Sequence, residues 1–481
     1  MRRRDSGAAA GSRERGRRAR TAAPRAAPLS IVVLAAGEGK RMNSAAPKVL
    51  QPLAGRPLLQ HVIDTARTLA PSAIHVVYGH GAELVRSALA AAPVSWTLQE
   101  QQLGTGHAVL QAMPQIPDDH RVLVLYGDVP LISRDTLLQL AALAGPDGVS
   151  LLTAAFAEPA GYGRIVRNAR GLVQKIVEHK DATARQLAIR ECNTGVLVSP
   201  ARRLRGWLSR LTRANSQGEY YLTDVIASAV RDKVPVRALQ AAEPSELLGV
   251  NDKAQLAQLE SLCRRRSAAQ LLVGGVTLAD PARVDVRGTL THGRDVFIDV
   301  NVIIEGRVAL GDRVHIGAGC VVRDSEIGAD TQVHPHCLIE GALIGPGCRI
   351  GPFARLRPTA TLAPQVHIGN FVEVKNSQLG EGSKANHLAY VGDAEVGNRV
   401  NIGAGTIVAN YDGAAKHHTT IGDDVHTGSN SVLVAPIIVG AGATIAAGST
   451  VTREVPAGKL TIARPPQSTV EGWHRPVKSK K

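Results

Sequence analysis

Three groups of residues have types and spacings that can do chemistry. The first surrounds His387, in Lys384-Ala385-Asn386-His387-Leu388-Ala389-Tyr390. Histidine is the side chain best suited to take a proton near neutral pH. Upstream lie Arg355-Leu356-Arg357-Pro358 and Asn370-Phe371-Val372-Glu373-Val374-Lys375. Arg357 and Lys375 are cations that can hold a phosphate, and Glu373 is the carboxylate expected to orient the ring. The set favours His387 as a general base over a solvated surface histidine. The second group comes after the apolar run Ile31-Val32-Val33-Leu34, in Ala35-Ala36-Gly37-Glu38-Gly39-Lys40-Arg41-Met42 and Pro47-Lys48-Val49-Leu50. Glycines after a strand let backbone N–H groups approach a phosphate, and Arg41 and Lys48 add two cations. This is neither a dinucleotide fingerprint, since Met42 stands at the third glycine position, nor a P-loop, since no Gly-Lys-Ser/Thr is present after it. The third is Asp128, which with Gly127 ends the run Val122-Leu123-Val124-Leu125-Tyr126. A carboxylate at a strand's carboxyl end sits where open α/β sheets bind ligands. Magnesium takes one or two such groups plus phosphate oxygens, so a metal ligand is preferred to a helix cap.

Other residues read more plainly on their own. Gln99 opens the glycine-rich turn Gln99–His107, and its amide can pair with an imide edge, but alone it reads equally well as a solvated loop residue. Glu178 alone is a solvated charge, and Asn251 alone is an N-cap. The stretch Asp412–Thr420 reads as an outward loop carrying Lys416, with His417 and His418 solvated.

The elements that must position these residues are legible as periodicities. From Ile298 to Val451 the chain counts in sixes: Ile298, Ile304, Leu310, Ile316, Val322, and again Ile344, Ile350, Leu356, Leu362, Ile368, Val374. Neither a helix nor an open strand has that period. Short strands joined by tight corners do, one aliphatic per strand pointing inward. Three sides close a triangular coil of about eighteen residues, and stacked coils pair their strands in parallel. Lys375, His387 and Tyr390 then fall about one coil apart, expected on one face. From residue 31 to about 230, strands alternate with helices, the pattern of a doubly wound sheet. Between the two, Leu256, Leu259, Leu262 and Cys263 predict a helix over 252–272. The expected division is a basic tail at 1–28, a sheet domain at 29–251, a helical linker at 252–274 and the coil domain with its C-terminal arm at 275–481.

Of the net charge of +15 over 481 residues, residues 1–28 supply +7. That Arg-, Ala- and Pro-rich segment is expected to be disordered. Aromatic residues are 3% of the chain, which argues against a base-stacking nucleic-acid surface. No apolar run is long enough to span a membrane. The cysteines 192, 263, 320, 337 and 348 form no CxxC pair and read as reduced thiols of a cytoplasmic protein.

The sixes resemble the hexapeptide-repeat acyltransferases, whose fold is a left-handed parallel β-helix. LAAGEGKRM…PKVL resembles the signature of sugar-1-phosphate nucleotidyltransferases, on an α/β Rossmann-like domain. Together, over residues 29–477, the chain resembles the bacterial family of bifunctional N-acetylglucosamine-1-phosphate uridyltransferases / glucosamine-1-phosphate acetyltransferases. The resemblance implies that Leu34, Ala35, Ala36, Gly37, Lys48, Gln99, Gly104, Thr105, Tyr126, Gly127, Asp128, Gly163, Glu178, Asn193 and Asn251 bind UTP and UDP-N-acetylglucosamine. It implies Mg²⁺ on Asp128 and Asn251, with Arg41 and Lys48 catalytic. On the coil it implies His387 as base, with Arg357, Lys375, Tyr390, Asn401 and Lys416 on the sugar phosphate. Ala404, Asn410, Tyr411, Ser429, Ala447 and Arg464 would bind acetyl-CoA. It further implies a homotrimer, and a product that feeds cell-wall and lipopolysaccharide synthesis. The rival readings are a nucleotidyltransferase whose coil only regulates or oligomerises, and a structural prism.

Overall fold

The computed structural model describes residues 27–156 and 159–478. The expected tail lies, up to residue 26, outside the described residues. The chain forms two compact units, one of residues up to Glu38 with Val62–Leu247, the other of Gly39–His61 with everything from Leu248.

The first unit is built on a sheet whose main path runs Val236–Gln240, Val149–Ala155, Glu191–Pro200, Arg121–Tyr126, Leu29–Ala35, Ala73–Tyr78, Ser95–Leu98. Leu29–Ala35 pairs in parallel with both Ala73–Tyr78 and Arg121–Tyr126. Ile31, Val32 and Val33 are fully buried, as are Leu123 and Val124, as expected of strands covered on both faces. Their parallel run brings Ala36-Gly37, Gly79 and Gly127-Asp128 to one edge. The sheet is not all parallel: Glu191–Pro200 runs antiparallel to both of its main-path neighbours, and the hairpin Arg164–Arg167/Val173–Val177 extends from it.

In the second unit, the helix Lys253–Val273 is capped by Asp252, whose side chain accepts from the Gln255 amide at 2.8 Å. The cap is therefore Asp252 and not Asn251, whose own N–H goes to Gln255 Oε1 at 2.7 Å. Beyond it the chain is a parallel β-helix of the left-handed hexapeptide class. One face alone stacks eleven strands, from Thr277–Leu278 to Leu460–Thr461. All the aliphatic residues of the six-residue pattern point inward, with Ile298, Ile304, Ile316, Ile350, Leu356, Ile368 and Val374 at 0% exposure.

The coil is not uniformly eighteen residues. Ile298 pairs with Ile316, a step of eighteen, but Ile316 pairs with Val333 and Val333 with Ile350, steps of seventeen. One corner of such a coil is one residue shorter. Asn401 pairs with His426, a step of twenty-five, because the loop after Asn410 is inserted there. The glycine after the inward Ile368 is not a corner residue. Gly369 has no left-handed backbone; a Cβ on it would stand 1.9 Å from the Asn386 carbonyl oxygen of the next coil. Its size is set by coil stacking, while left-handed corners are held by residues such as Phe371 and Asp393.

Because the coil core is close-packed, Ile368→Ala should lower coil stability by about 2–5 kcal/mol. The outward-facing Leu343, 51% exposed, should cost under about 0.5 kcal/mol when changed to Ala. Denaturant midpoints followed by circular dichroism check both; equal shifts would contradict the inward register.

Candidate active sites

At the carboxyl edge of the sheet, Tyr126 is the hub. Burial, then the Glu178 and Asp128 carboxylates, push its phenol well above the usual tyrosine range, while a hydrogen bond with Thr105 opposes them. It therefore stays a protonated O–H. Gly195, at φ 83°, lies against its ring: a Cβ there would stand 2.3 Å from Tyr126 Cε2. The Gly195 amide donates to Asn193 Oδ1 at 3.1 Å, and the Asn193 amide donates to the Gly163 carbonyl at 2.8 Å. A Cβ on Gly163 would in turn stand 3.4 Å from Glu178 Oε2. Thus Thr105, Tyr126, Asp128, Gly163, Glu178 and Asn193, scattered over the sequence, converge. Leu34, Ala35 and Ala36 are buried at the end of the neighbouring strand, and Gly127 donates to the Leu34 carbonyl at 2.8 Å. Glu178 is not the solvated charge it resembles in isolation. Burial raises its pKa, against a hydrogen bond from Thr223 Oγ1 at 2.9 Å.

Gln99 is likewise no solvated loop residue: it is 3% exposed, its Nε2 meeting the Gly104 carbonyl at 3.3 Å and His107 Nδ1 at 2.9 Å. Gly104 holds φ 112° and leaves no room for a Cβ, which would lie 2.7 Å from the Tyr220 carbonyl. His107, Tyr220 and Thr223 support this edge; no spacing in the sequence marks them.

Arg41, Lys48 and Asn251 belong to the other unit. Gly39, at φ 63°, packs against Lys48, and Lys48 Nζ donates to Asn251 Oδ1 at 3.4 Å. Arg41 is exposed. Among the described residues no cluster of three His, Cys, Asp or Glu side chains could cage a metal. A magnesium that shares its shell with nucleotide phosphates needs fewer protein ligands, and a carboxylate and an amide oxygen such as Asp128 and Asn251 offer are of the hard type it takes.

On the coil, several expected residues form one column. Asn370 pairs with His387 in adjacent coils. The carbonyls of His387, Ala404 and Ser429 accept from the amides of Gly405, Asn430 and Gly448, each one coil further on. Arg464 Nη1 then donates to the Ala447 carbonyl at 2.6 Å. His387, Ala404, Ser429, Ala447 and Arg464 therefore climb one edge in successive steps of about 4.8 Å. Asn401 lies on the same ladder, between Lys384 and His426.

The cations gather around the corner from this column. Lys375 opposes Gly392, and the Tyr390 hydroxyl leans over that glycine, 2.4 Å from where its Cβ would be. Lys416 approaches Lys375, whose charge and contact lower its pKa. Asn410 Nδ2 lies 3.5 Å from Tyr390 Oη. Lys375, His387 and Tyr390 are thus not stacked on one face as expected. The left-handed corner at Leu388 separates His387 from Tyr390, and Tyr390 pairs with Glu373. Nor does Glu373 orient His387. It binds Arg357 at 2.9 Å, and Asn370 Oδ1 meets His387 Nδ1 at 2.8 Å. The 17-residue step from 370 to 387 carried that signal. His417 is not merely solvated either. Its Nε2 pairs with Asp412 Oδ2 at 2.6 Å, and its amide donates to the Asn410 carbonyl. The Ala415 amide, then His417 and the Ala414 amide, hold the Asp412 carboxyl well below its usual range. The exposed Tyr411 donates to the Gly413 carbonyl at 2.7 Å within the same loop.

Residues 31–219 match the MobA-like NTP transferase domain family, 286–360 the GMPPB C-terminal domain and 418–453 the bacterial transferase hexapeptide family. A nucleotidyltransferase domain succeeded by a hexapeptide acyltransferase coil defines the class: a transferase with two activities on one chain. The bifunctional protein GlmU of Azoarcus sp. (strain BH72) is 58% identical over 452 residues, covering 94% of this chain and 100% of that protein. Those of Cupriavidus taiwanensis and Ralstonia nicotianae are each 58% identical over 453 residues, with the same coverage. A solved nucleotidyl transferase from Methanothermobacter thermautotroptrophicus aligns over 50% of this chain and 99% of its own at 22% identity, TM-score 0.36. The chain belongs to the bifunctional GlmU family, and its two activities are uridylyl transfer and acetyl transfer.

Since any side chain at 195 collides with the Tyr126 ring and strains the backbone, Gly195→Ala should cut uridylyl transfer at least about tenfold. Acetyl transfer by the same protein should be unchanged. Unaltered uridylyl kinetics would remove Tyr126 from the site.

Proposed function

We propose that the coil transfers acetyl from acetyl-CoA to the amine of glucosamine 1-phosphate, and that the sheet domain then joins the N-acetylglucosamine 1-phosphate so made to UTP. The observation that carries the acetyl half is the column from His387 to Arg464, with Lys375, Lys416 and Tyr390 around the corner. A column of four steps spans about 19 Å, with small residues Ala404, Ser429 and Ala447 between a base and a cation. That suits an extended coenzyme whose thioester lies at His387 and whose phosphates lie at Arg464. Lys375, Lys416 and Arg357 supply the charge for a sugar phosphate, with Tyr390 and Asn401 as hydrogen-bonding groups. Asn410 and Tyr411 complete the coenzyme contacts.

An amide oxygen only accepts, so Asn370 fixes the proton of His387 on Nδ1 and leaves the Nε2 lone pair to act as base. The amine nitrogen attacks the thioester carbon, its proton passes to Nε2, and the C–S bond breaks as the N–C bond stays. The sulfur leaves as coenzyme A thiol once reprotonated.

For uridylyl transfer, the sugar phosphate oxygen attacks the α-phosphorus of UTP in line and pyrophosphate leaves, with no covalent enzyme intermediate. Gln99, Gly104 and Thr105 bind the uracil, and Gly163, Glu178 and Asn193 the N-acetylhexosamine. Arg41 and Lys48 neutralise phosphate charge. Mg²⁺, held by Asp128 and Asn251, would add to that neutralisation. We also assign a homotrimer, as the flat coil faces and the exposed stack of His336, Phe353 and Phe371 invite. A cytoplasmic place of action accords with five cysteines that are all free. Among the described residues no helix is long and apolar enough to cross a membrane.

His387→Ala should lower acetyl transfer by about 10² to 10⁴ and leave uridylyl transfer, assayed with N-acetylglucosamine 1-phosphate, intact. A parental acetylation rate in that variant would remove His387 as the base. Asp128→Ala should do the reverse, abolishing Mg²⁺-dependent formation of UDP-N-acetylglucosamine while acetylation, read as thiol release, survives. Full uridylyl transfer by that variant would rule Asp128 out as the metal ligand.

A further inference from the structure

A second column, beside the lysines, carries a series of side-chain hydrogen bonds. Thr359, Asn376, Asp393 and Asn410 stand in successive coils. Thr359 Oγ1 has two acceptors for its one proton, Asn376 Oδ1 at 2.7 Å and the Pro358 carbonyl at 2.6 Å, and Asn376 Nδ2 donates to Asp393 Oδ1 at 2.6 Å. Asn410 Nδ2 donates to the other oxygen, Asp393 Oδ2. Asp393 and Asn410 are both 7% exposed. Thr359, Asn376 and Asp393 hold φ of 67°, 45° and 50°, left-handed corners where Asn and Asp are tolerated. Asp393 is the charged member of these four, and it lies near Lys375 and Lys416.

A carboxylate only accepts, so each flanking amide must turn its NH₂ toward Asp393. For Asn410 this settles which end is spent. Nδ2 is committed to Asp393, with Tyr390 Oη also 3.5 Å away. The backbone carbonyl of Asn410 is committed too, to the His417 amide at 2.8 Å. What the side chain keeps for a ligand is Oδ1, an acceptor.

We propose that Asp393 is a positioning residue of the acetyl-transfer site: it locks the Asn410 amide so that only its oxygen is offered, and the site thereby recognises an N–H donor. This rests on the acetyl-transfer reading above. Two reactant groups supply such a donor, the amine of the sugar and the amides of the coenzyme's pantetheine arm.

The test is the KM of each substrate in Asp393→Ala and in Asp393→Asn. In Asp393→Ala no side-chain atom at 393 accepts, so Asn410 loses its fixed orientation. The KM of one substrate should rise about tenfold, the worth of one hydrogen bond, with kcat within about threefold and uridylyl transfer unchanged. In Asp393→Asn the hold is kept: the new amide oxygen accepts from Asn410 while its NH₂ donates to a turned Asn376, whose own NH₂ meets Thr359 Oγ1, a hydroxyl that accepts while it donates to the Pro358 carbonyl. KM should there stay within about threefold of the parent. A rise in the sugar phosphate KM identifies the amine as donor, and a rise in the acetyl-CoA KM the pantetheine amide; either supports the proposal. Unmoved KM values in Asp393→Ala, or an Asp393→Asn variant as impaired as Asp393→Ala, would overturn it. Should Asp393→Ala fail to fold, Asp393→Gly removes the acceptor at a φ of 50° that glycine adopts freely, and an unchanged KM there would be equally fatal. If the parent enzyme released no thiol from acetyl-CoA with glucosamine 1-phosphate, the underlying reading would fail instead.

Discussion

The coil is governed by one constraint: each turn must lie a single strand spacing, about 4.8 Å, from the next. Backbone ladders on three faces impose it, and every side chain is then stacked on its equivalents above and below. Inward, this makes a continuous aliphatic core from Leu278 to Val455. At the glycines it forbids a Cβ. At buried corners it brings a hydroxyl to the next coil's amide, as Ser325 does for Ala342, Ser377 for Ala394 and Ser383 for Val400. Cys320 fills the same slot under the Cys337 amide at 3.4 Å. The buried thiols are thus substitutes for corner hydroxyls and need no oxidative partner to explain them.

The same constraint builds the acetyl site proposed for the coil. Columns convert distant sequence positions into neighbours, so a base, small residues and a cation can line one edge while lysines gather around the corner. Where the register is broken, the break is used. The extra residues after Asn410 form the loop that brings Lys416 to Lys375, and Asp412 and His417 hold that loop in shape. The sheet domain works by another geometry. Its parallel strands all end at one edge, and the pocket is assembled from the turns that leave those strand ends.

Much of this was legible. A six-residue period has few physical solutions, and every aliphatic residue it marks is buried. Candidate site residues at strand ends and in the coil were picked out by type, and the structure brings Thr105, Tyr126, Asp128, Gly163, Glu178 and Asn193 to one edge. What failed were inferences that needed the register. Steps of twelve and fifteen from Lys375 to His387 and Tyr390 passed for one coil, and proximity in sequence made Glu373 the partner of His387. A coil here steps by seventeen, from Lys375 to Gly392 and from Asn370 to His387, and that step is invisible when aliphatic residues are counted and corners are not. With the shorter step, Asn370 falls under His387, and Thr359, Asn376, Asp393 and Asn410 fall into line. In the sheet domain the missed residues act through contacts that no periodicity encodes: His107 on Gln99, Tyr220 stacked on His107, and Thr223 on Glu178.

Two partly buried carboxylates show how the two geometries tune charge. Glu178 faces burial and the acidic groups Asp224, Asp181 and Glu219 with only the Thr223 hydroxyl in compensation, and its pKa rises. Asp393 is also pushed up by burial, but amides of Asn376 and Asn410 and the charges of Lys375 and Lys416 outweigh it, and its pKa falls. The signs for stability are opposite. Asp393 contributes to the coil above the ordinary carboxylate range and loses that contribution as pH falls through its lowered value. Glu178 binds its proton more readily folded than unfolded, so its contribution to the sheet domain is present in acid and lost as pH rises through its raised value. Ionisation is thus eased at Asp393, the relaxed carboxylate, and opposed at Glu178, the strained one. The strained carboxylate has no cation among the groups that shift it, and the sugar proposed for this pocket would bring it hydroxyl donors. The relaxed one already has its donors in place, and its effect on a ligand passes through Asn410.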